Sequence, residues 1–358
     1  MDPLFEPLPL RRRGKILANR LVLAPLTNTQ SNDDGTLSED EYRWLTLRAE
    51  GGFAATMTCA CHVQAAGRGF KGQLGNFSDL HLPGLSRLAA GIKAAGSVAL
   101  TQLHHAGIRA PAELIGGPPL GPSDDAESGA RALTGAEVIQ VRDDFITAAQ
   151  RAQQAGFDGV EVHGAHGYLL SQFLSPVINR REDEYGGTPD KRARLLMEVV
   201  EGIRRTCGEE FVVGVRLSPE RFGLEFPEIR ALAARLLAGG LIDFLDLSLW
   251  DVGKEPEDTA HRGRSLLSWF TELDRGDVRL GAAGSILSGA DARRCLEAGV
   301  DFLLIGRAAV LHHDFPNRLR ADPDFAAIAT PVTEAYLRNE GAGPDMVRYM
   351  RRWEGFVA

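Results

Sequence analysis

The stretch from Gln153 to Arg194 reads QQAGFDGVEVHGAHGYLLSQFLSPVINRREDEYGGTPDKRAR and shows how the chain is organised. A helix is predicted to end at Ala155-Gly156, because glycine commonly follows the last helical turn. The short run from Gly159 to His163, in which valines alternate with other residues, then predicts a strand. A further helix is predicted from Lys191 to Thr206. Strands that alternate with helices in this way are typical of parallel α/β proteins.

The same alternation recurs along the chain. The predicted strands are Arg20–Leu26, Phe53–Ala60, Val98–Leu103, Gly159–His163, Phe211–Leu217, Phe244–Leu249, Val278–Ala283 and Phe302–Ile305. The predicted helices between them are Ser38–Glu50, Pro83–Ala95, Gly135–Gln154, Lys191–Thr206, Glu228–Ala238 and Gly289–Ala298. Eight such repeats predict a closed (β/α)8 TIM barrel, formed by residues 1–358 as a single domain. An open, doubly wound parallel sheet is the competing topology.

Two segments fall outside the repeats. The long excursion after the third strand, His105 to Leu133, is rich in proline and glycine and is expected over the C-terminal mouth of the barrel, with a small hairpin inside it. The tail from about 316 to 358 is expected to form closing helices. Its end, MVRYMRRWEGFVA, fits a helix packed on its own barrel or a contact with a partner subunit, so a homodimer stays open.

Composition narrows the class of protein. The chain has 358 residues and a net charge of −8, which argues against a nucleic-acid partner. The four cysteines, Cys59, Cys61, Cys207 and Cys295, show no disulfide-framework spacing. No apolar run approaches the length of about 18 residues that a membrane span needs. These features predict a soluble cytoplasmic enzyme.

Two histidines and a tyrosine follow the fourth predicted strand. His163, His166 and Tyr168 are separated by glycines, Gly164 and Gly167, which indicate that the strand has ended and the chain turns. In a turn both imidazoles can point at one spot beside the phenol. Two neutral imidazoles and a phenol can hold and protonate a carbonyl group.

Two further features predict an anion at the same end of the barrel. Arg216 is the only cation of the fifth strand, and a buried arginine needs an anionic partner, either a ligand or a protein carboxylate. The last two strands end at Ala283-Gly284-Ser285 and at Gly306-Arg307. Barrels often bind phosphate with the loops after these strands, where glycines let backbone N–H groups approach the anion.

These residues resemble the old yellow enzyme family of flavin-dependent ene-reductases. The matching motif is His163-Gly-Ala-His166-Gly-Tyr168-Leu-Leu-Ser-Gln-Phe-Leu-Ser-Pro, followed by Asn179-Arg180-Arg-Glu-Asp183-Glu-Tyr185-Gly-Gly187 and Arg192-Ala-Arg194. The resemblance, which spans about Leu4 to Phe315, implies a barrel with tightly but non-covalently bound FMN and with NADH or NADPH as co-substrate. It implies that His163 and His166 hold a carbonyl or nitro group of an electrophilic alkene while Tyr168 protonates its α-carbon.

The resemblance also assigns the cofactor contacts. Gln102 would pair with the pyrimidine edge of the flavin, Thr27 would contact its O4 atom, and the small Ala60 would leave room for the ring. The full set of expected cofactor contacts is Ala24, Pro25, Leu26, Thr27, Ala60, Gln102, His163, Arg216, Ala283, Gly284, Ser285, Gly306 and Arg307. No metal is expected.

Departures from the family pattern keep alternatives open. His104 stands where classical members often have a tryptophan, and the family's His-x-Gly-Arg turn is altered at His105-Ala-Gly107-Ile108-Arg109, so Arg109 is left out of the expected site. A family member with a special substrate, such as an amine that is demethylated or oxidised, is one alternative. A metal-dependent barrel hydrolase that uses the histidines is another, and a pure binding barrel is a third.

Overall fold

Eight parallel strands form a closed barrel in the computed structural model, which describes residues 2–10 and 15–358. We number the barrel strands in chain order: β1 Leu21–Leu23, β2 Ala55–His62, β3 Val98–His104, β4 Gly159–Gly164, β5 Val212–Leu217, β6 Phe244–Ser248, β7 Arg279–Ala283 and β8 Phe302–Ile305. The last strand pairs with the first, Leu303 opposite Leu21 and Ile305 opposite Leu23. This closure confirms the predicted barrel and excludes the open sheet.

Helices alternate with the strands as predicted. They are α1 Glu39–Glu50, α2 Leu82–Ala94, α3 Ala112–Ile115, α4 Gly135–Gln154, α5 Leu169–Leu174, α6 Pro189–Cys207, α7 Phe226–Ala238, α8 Ser268–Thr271, α9 Gly289–Glu297, α10 Arg307–Leu311, α11 Phe315–Ala321, α12 Glu334–Asn339 and α13 Pro344–Met350. The start of α4 shows why a boundary was predictable. Thr134 accepts a hydrogen bond from the Glu137 amide, and Glu137 accepts one in return from the Thr134 amide.

Apolar side chains fill the N-terminal end of the barrel. Phe244 and Phe302 begin β6 and β8, and their rings pack edge to face with centroids 5.7 Å apart. A short antiparallel pair, Leu8–Pro9 with Ile16–Leu17, adds two buried leucines to the same cluster. Because this end is filled, the space for a ligand lies at the opposite, C-terminal end.

The excursion after β3 is folded rather than irregular. It contains a 3-10 turn at Gly107–Arg109 and helix α3. Its two short strands, Leu120–Gly121 and Arg131–Ala132, pair in parallel, so the prediction of a hairpin is wrong for this pair. Within the loop between these strands, Asp125 and Ala130 form an antiparallel bridge, which closes a small hairpin-like turn.

The tail packs on its own barrel. Met346, Val347 and Met350 of α13 are buried. The Gly343 amide donates a 2.6 Å hydrogen bond to the side-chain carbonyl of Gln30, in the loop after β1. Among the helices in the described ranges, none is both long enough and apolar enough to cross a membrane.

Candidate active site

One cavity of about 700 Å³ opens at the C-terminal ends of the barrel strands. Most of the predicted site residues line it: Ala24, Pro25, Leu26, His166, Tyr168, Arg216, Ala283, Gly284, Ser285, Gly306 and Arg307. The other lining residues are Arg109, Phe222, Ser248, Trp250, Ile286, Leu287, Leu304 and Trp353. This is the end at which barrel enzymes carry their active sites.

The wall after β1 exists because this strand is shorter than predicted. The Ala24 amide still donates to the Ile305 carbonyl at 3.1 Å. Pro25 has no N–H, so the ladder cannot continue. The chain therefore leaves the sheet, and residues 24–26 face the cavity instead.

The two histidines of the motif meet in a turn after β4. The strand continues through Gly164, one residue further than predicted. His166 and Gly167 then adopt positive φ angles of 61° and 68°, which bring the imidazole of His166 back towards the strand. Nε2 of His163 lies 3.1 Å from Nδ1 of His166. The two rings thus contact each other, and of the pair His166 lines the cavity.

The imidazoles around the cavity are neutral. Burial, and next the positive charges of Arg216 and Arg109, lower the pKa of His166 to about 3. Burial also holds the pKa values of His163 and His104 well below their ordinary value. A neutral imidazole has one N–H donor, so these rings can donate a hydrogen bond without adding a positive charge.

Tyr168 lies between an imidazole and a guanidinium group. The Tyr168 and His104 rings pack edge to face with centroids 4.4 Å apart. The guanidinium carbon of Arg109 lies 4.7 Å from the centroid of the same ring, and its Nη1 donates a 2.5 Å hydrogen bond to the His166 carbonyl. Burial raises the pKa of Tyr168, so the phenol keeps its proton at neutral pH. Arg109, which was left out of the expected site, lines the cavity beside Tyr168.

Arg216 has a protein partner as well as a face towards the cavity. Its Nε lies 2.8 Å from Oδ2 of the buried Asp246 on β6. Its Nη2 donates a 3.4 Å hydrogen bond to Oγ of Ser248. The same Oγ lies 2.6 Å from Nε2 of His166. Ser248 therefore connects the arginine to the histidine, although nothing in the sequence singled it out.

Four expected contact residues do not line the cavity in the described part of the chain: Thr27, Ala60, Gln102 and His163. Gln102 is buried, and its amide donates a 2.6 Å hydrogen bond to the carboxyl group of Glu161. Burial, and next the charge of Asp246, raise the pKa of Glu161. The Ala60 carbonyl accepts a 2.6 Å hydrogen bond from Gln73, and Thr27 is half-buried.

The loops after β7 and β8 form a corner with a single cation. Nη2 of Arg307 donates a 2.7 Å hydrogen bond to Oγ of Ser285. Ser285 has a φ of 54°, and its hydroxyl also donates to the Trp250 carbonyl at 2.9 Å. A Cβ atom on Gly284 would lie 2.9 Å from the Asp251 amide nitrogen, so this close approach requires glycine. The corner combines a guanidinium, a hydroxyl and tightly turned backbone.

Aromatic side chains around the cavity were missed by sequence reasoning. Trp250 follows β6 and is 56 % exposed, so its place directly after a strand was an available indication. Phe222 packs beside the motif, since a Cβ atom on Gly167 would lie 2.8 Å from its ring. Trp353 comes from the tail, about 180 residues after the motif, and no local pattern links it to the site.

Side chains that could together hold a metal ion occur elsewhere. Within residues 2–10 and 15–358, the one such group is His313, Asp314 and Glu340. None of the three lines the cavity. His163 and His166 are not part of this group.

The geometry of the cavity fits a phosphorylated flavin. Arg307 and Ser285 place a guanidinium and a hydroxyl group side by side, and Arg216 lines the cavity as a second guanidinium. The apolar Pro25 and Leu26 line the same cavity. Together with the neutral hydrogen-bond donors His166 and Tyr168, the fold and site define a class: oxidoreductases that bind a flavin in a (β/α)8 barrel.

Comparison with known proteins gives the family. Residues 3–323 match the model of the NADH:flavin oxidoreductase / NADH oxidase family. The chain is 38 % identical over 359 residues to the probable NADH-dependent flavin oxidoreductase YqiG of Bacillus subtilis, covering 97 % of this chain and 93 % of that protein. It is 34 % identical to an NADPH dehydrogenase of Bacillus licheniformis, covering 98 % of each. The solved old yellow enzyme homologue of Zymomonas mobilis superposes with a TM-score of 0.78 at 28 % identity, covering 91 % of this chain and 94 % of that one.

The chain therefore belongs to the NADH:flavin oxidoreductase / NADH oxidase family, of which old yellow enzyme homologues are structural relatives. It is a flavin-dependent NAD(P)H oxidoreductase. This confirms the resemblance inferred from the motif at His163–Tyr168 and speaks against the metal-dependent hydrolase and the pure binding barrel. Some relatives are longer: the chain spans 36 % of an NADH:fumarate oxidoreductase of Klebsiella pneumoniae.

Proposed function

We propose that the protein is an FMN-dependent ene-reductase that reduces the activated C=C bond of α,β-unsaturated carbonyl or nitro compounds with NADH or NADPH. The observation that carries this proposal is the shared wall of His166 and Tyr168, a neutral donor and a protonated phenol facing one cavity beside Arg216. Such a pair suits a reaction in which negative charge develops on an oxygen and a proton is delivered nearby.

The chain offers distinct groups to each part of FMN. Arg307 and Ser285 would hold the phosphate, Arg216 the pyrimidine edge, and residues 24–26 the face of the ring system. The remaining expected contacts, Thr27, Ala60 and Gln102, stay part of this proposal. When bound, FMN supplies the reducing equivalents that it takes from the nicotinamide. A cofactor with a single phosphate needs only one cationic binding corner, such as that of Arg307. It does not need a dinucleotide-binding fold.

His166 and His163 would stabilise the oxygen of the activating group. Nε2 of His163 and Nδ1 of His166 lie 3.1 Å apart and share a hydrogen bond. A bound carbonyl oxygen would replace this contact and accept a hydrogen bond from each ring. The hydrogen bonds from these N–H groups become stronger as the oxygen gains negative charge. They therefore stabilise the transition state more than the ground state. Tyr168 would then deliver its proton to the α-carbon.

The test is the visible spectrum of the purified protein under anaerobic conditions, recorded before and after NADH or NADPH and again after addition of cyclohexenone. The proposal expects a yellow protein that bleaches with the nicotinamide and regains its colour with the enone. Bleaching without recovery would overturn the alkene as substrate and direct the search to other oxidants of the reduced protein. An amine substrate would instead bleach the oxidised protein in the absence of NADH or NADPH. A colourless protein that fails to take up FMN would overturn the cofactor assignment.

A further inference from the structure

The candidate cavity carries positive charge in a chain that is acidic overall. Arg109, Arg216 and Arg307 line it, and no aspartate or glutamate does so among the described residues. The histidine on its wall is neutral. The net charge of the whole chain is −8, so the sign of the cavity is opposite to that of the protein. Such a cavity attracts anions and concentrates them from solution.

Two of the three arginines already have assigned roles. Arg216 is paired with Asp246 inside the barrel, and Arg307 stands at the corner proposed for the phosphate. Arg109 is different. Its side chain is exposed to the cavity, and it forms no ion pair with any residue in the parts of the chain that the structure describes.

The guanidinium of Arg109 is nevertheless held in place. It lies over the ring of Tyr168, with 4.7 Å between the guanidinium carbon and the ring centroid. One of its five N–H donors is used by the His166 carbonyl. The other donors stand beside the two residues proposed to act on the alkene, and a guanidinium matches a carboxylate with two parallel hydrogen bonds.

We propose that the physiological substrate is an alkene that carries a carboxylate group and that Arg109 binds this carboxylate. The proposal rests on the ene-reductase function and names the class of its substrate. The pyrophosphate of NADH or NADPH is a second anion that this guanidinium would suit, and the experiment separates the two.

The experiment measures the oxidation of the reduced holoenzyme by two maleimides in a stopped-flow spectrometer. 3-Maleimidopropionic acid carries a carboxylate, and 3-maleimidopropionamide is its neutral isostere with the same activated alkene. The wild-type protein is expected to favour the acid by about tenfold in second-order rate constant, and salt should reduce this ratio. R109Q should abolish the preference, whereas R109K should retain part of it.

Arg221 provides a matched control, because it packs on Trp250, which lines the cavity. It is exposed, lies over the Trp250 ring at 5.1 Å and is paired with Glu257. R221Q removes a cation from the same region but should leave the ratio unchanged. Equal rates for acid and amide in the wild type, or an acid preference that survives R109Q, would overturn the proposal while turnover of the amide still supports the ene-reductase function.

The reductive half-reaction separates the two anions. If R109Q weakens the binding of NADH or NADPH to the oxidised holoenzyme and leaves the acid-to-amide ratio unchanged, Arg109 serves the nicotinamide and the substrate proposal is overturned. If neither maleimide reoxidises the reduced protein, the ene-reductase function fails and this proposal fails with it.

Discussion

Asp246 and Arg216 stand opposite each other on neighbouring strands of the barrel, and Oδ2 of the aspartate lies 2.8 Å from Nε of the arginine. Both side chains are buried. Burial raises the pKa of Asp246, and the charge of Arg216 opposes this rise. The pair holds the guanidinium in the barrel interior, where the flavin edge is proposed to bind.

Asp246→Asn is therefore expected to lower both the stability of the protein and its affinity for FMN. A buried arginine without its carboxylate should cost about 3–5 kcal/mol in the free energy of unfolding. Because the released guanidinium can move, the affinity for FMN should also fall, as measured by fluorescence titration of the apoprotein. Asp243→Asn is the matched control, since Asp243 forms a buried 2.7 Å pair with Arg204 outside the cavity. It should reduce stability without a specific loss of FMN affinity, and equal losses of affinity in both variants would contradict this role of Asp246.

Tyr168→Phe separates the two half-reactions. Removal of the proton donor should slow reoxidation of the reduced protein by an enone on the order of 10²–10⁴-fold. Reduction by NADH or NADPH needs no proton from Tyr168 and should change little. Stopped-flow absorbance of the flavin reports both steps. The control is Tyr336→Phe, whose hydroxyl donates to the Leu311 carbonyl in the tail region. Loss of both half-reactions in Tyr168→Phe would instead indicate a damaged cavity.

Because His105 is buried, the free energy of unfolding is expected to fall in acid. The Gly107 amide donates to its Nδ1, so the buried ring must be neutral, and burial lowers its pKa to about 3. The unfolded chain binds a proton near the ordinary pKa of about 6.5. Stability is therefore unaffected above this pH and falls as the pH drops from there towards 3, by about 2 kcal/mol at pH 5.

Urea unfolding at pH 7.5 and pH 5 checks this prediction. The difference in unfolding free energy between the two pH values should be smaller by about 2 kcal/mol in His105→Gln than in the wild type. The other histidines contribute equally to both proteins and cancel. An imidazole of His105 that titrates near pH 6.5 in an NMR titration of the folded protein would contradict the argument.

Arg307→Gln should distinguish FMN from riboflavin. The guanidinium is expected to bind the phosphate, and a charged hydrogen bond of this kind contributes about 1.5–3 kcal/mol. FMN should therefore bind roughly 10- to 100-fold more weakly to the variant, whereas the affinity for riboflavin should hardly change. Arg279→Gln is the control, because Arg279 begins β7 and donates to the Pro9 carbonyl at the other end of the barrel. An equal loss for both ligands would place Arg307 away from the phosphate.

Local patterns were sufficient to predict the repeats of this barrel. Buried parallel strands give continuous apolar runs, and boundaries such as Thr134 with Glu137 depend on residues close in sequence. The shorter β1 is a case in which Pro25 could have been weighed, since proline cannot donate to a ladder. The parallel pair in the excursion could not be anticipated, because its direction depends on how the whole loop folds back.

The motif residues of the site were predictable, whereas its outer walls were not. His166 and Tyr168 belong to one short motif with glycines that reveal the turn. Trp353 and Arg109 reach the cavity from segments far apart in the chain, and their places depend on tertiary packing. Asp246 could have been suspected, since an acidic residue in the apolar strand FLDLS requires a cationic partner and Arg216 was already known to need an anion.

The pairing of β1 with β8 closes the barrel and joins residues about 280 positions apart in the chain. Contacts between such distant residues carry the largest chain-closure entropy and slow the folding of a protein. The two strands continue directly into residues 24–26 and Gly306-Arg307, which lie beside each other and line the cavity. A cofactor that contacts both segments would stabilise the pairing of β1 with β8. Hydrogen exchange in β1 and β8 would then slow on its binding more than exchange in the strands opposite.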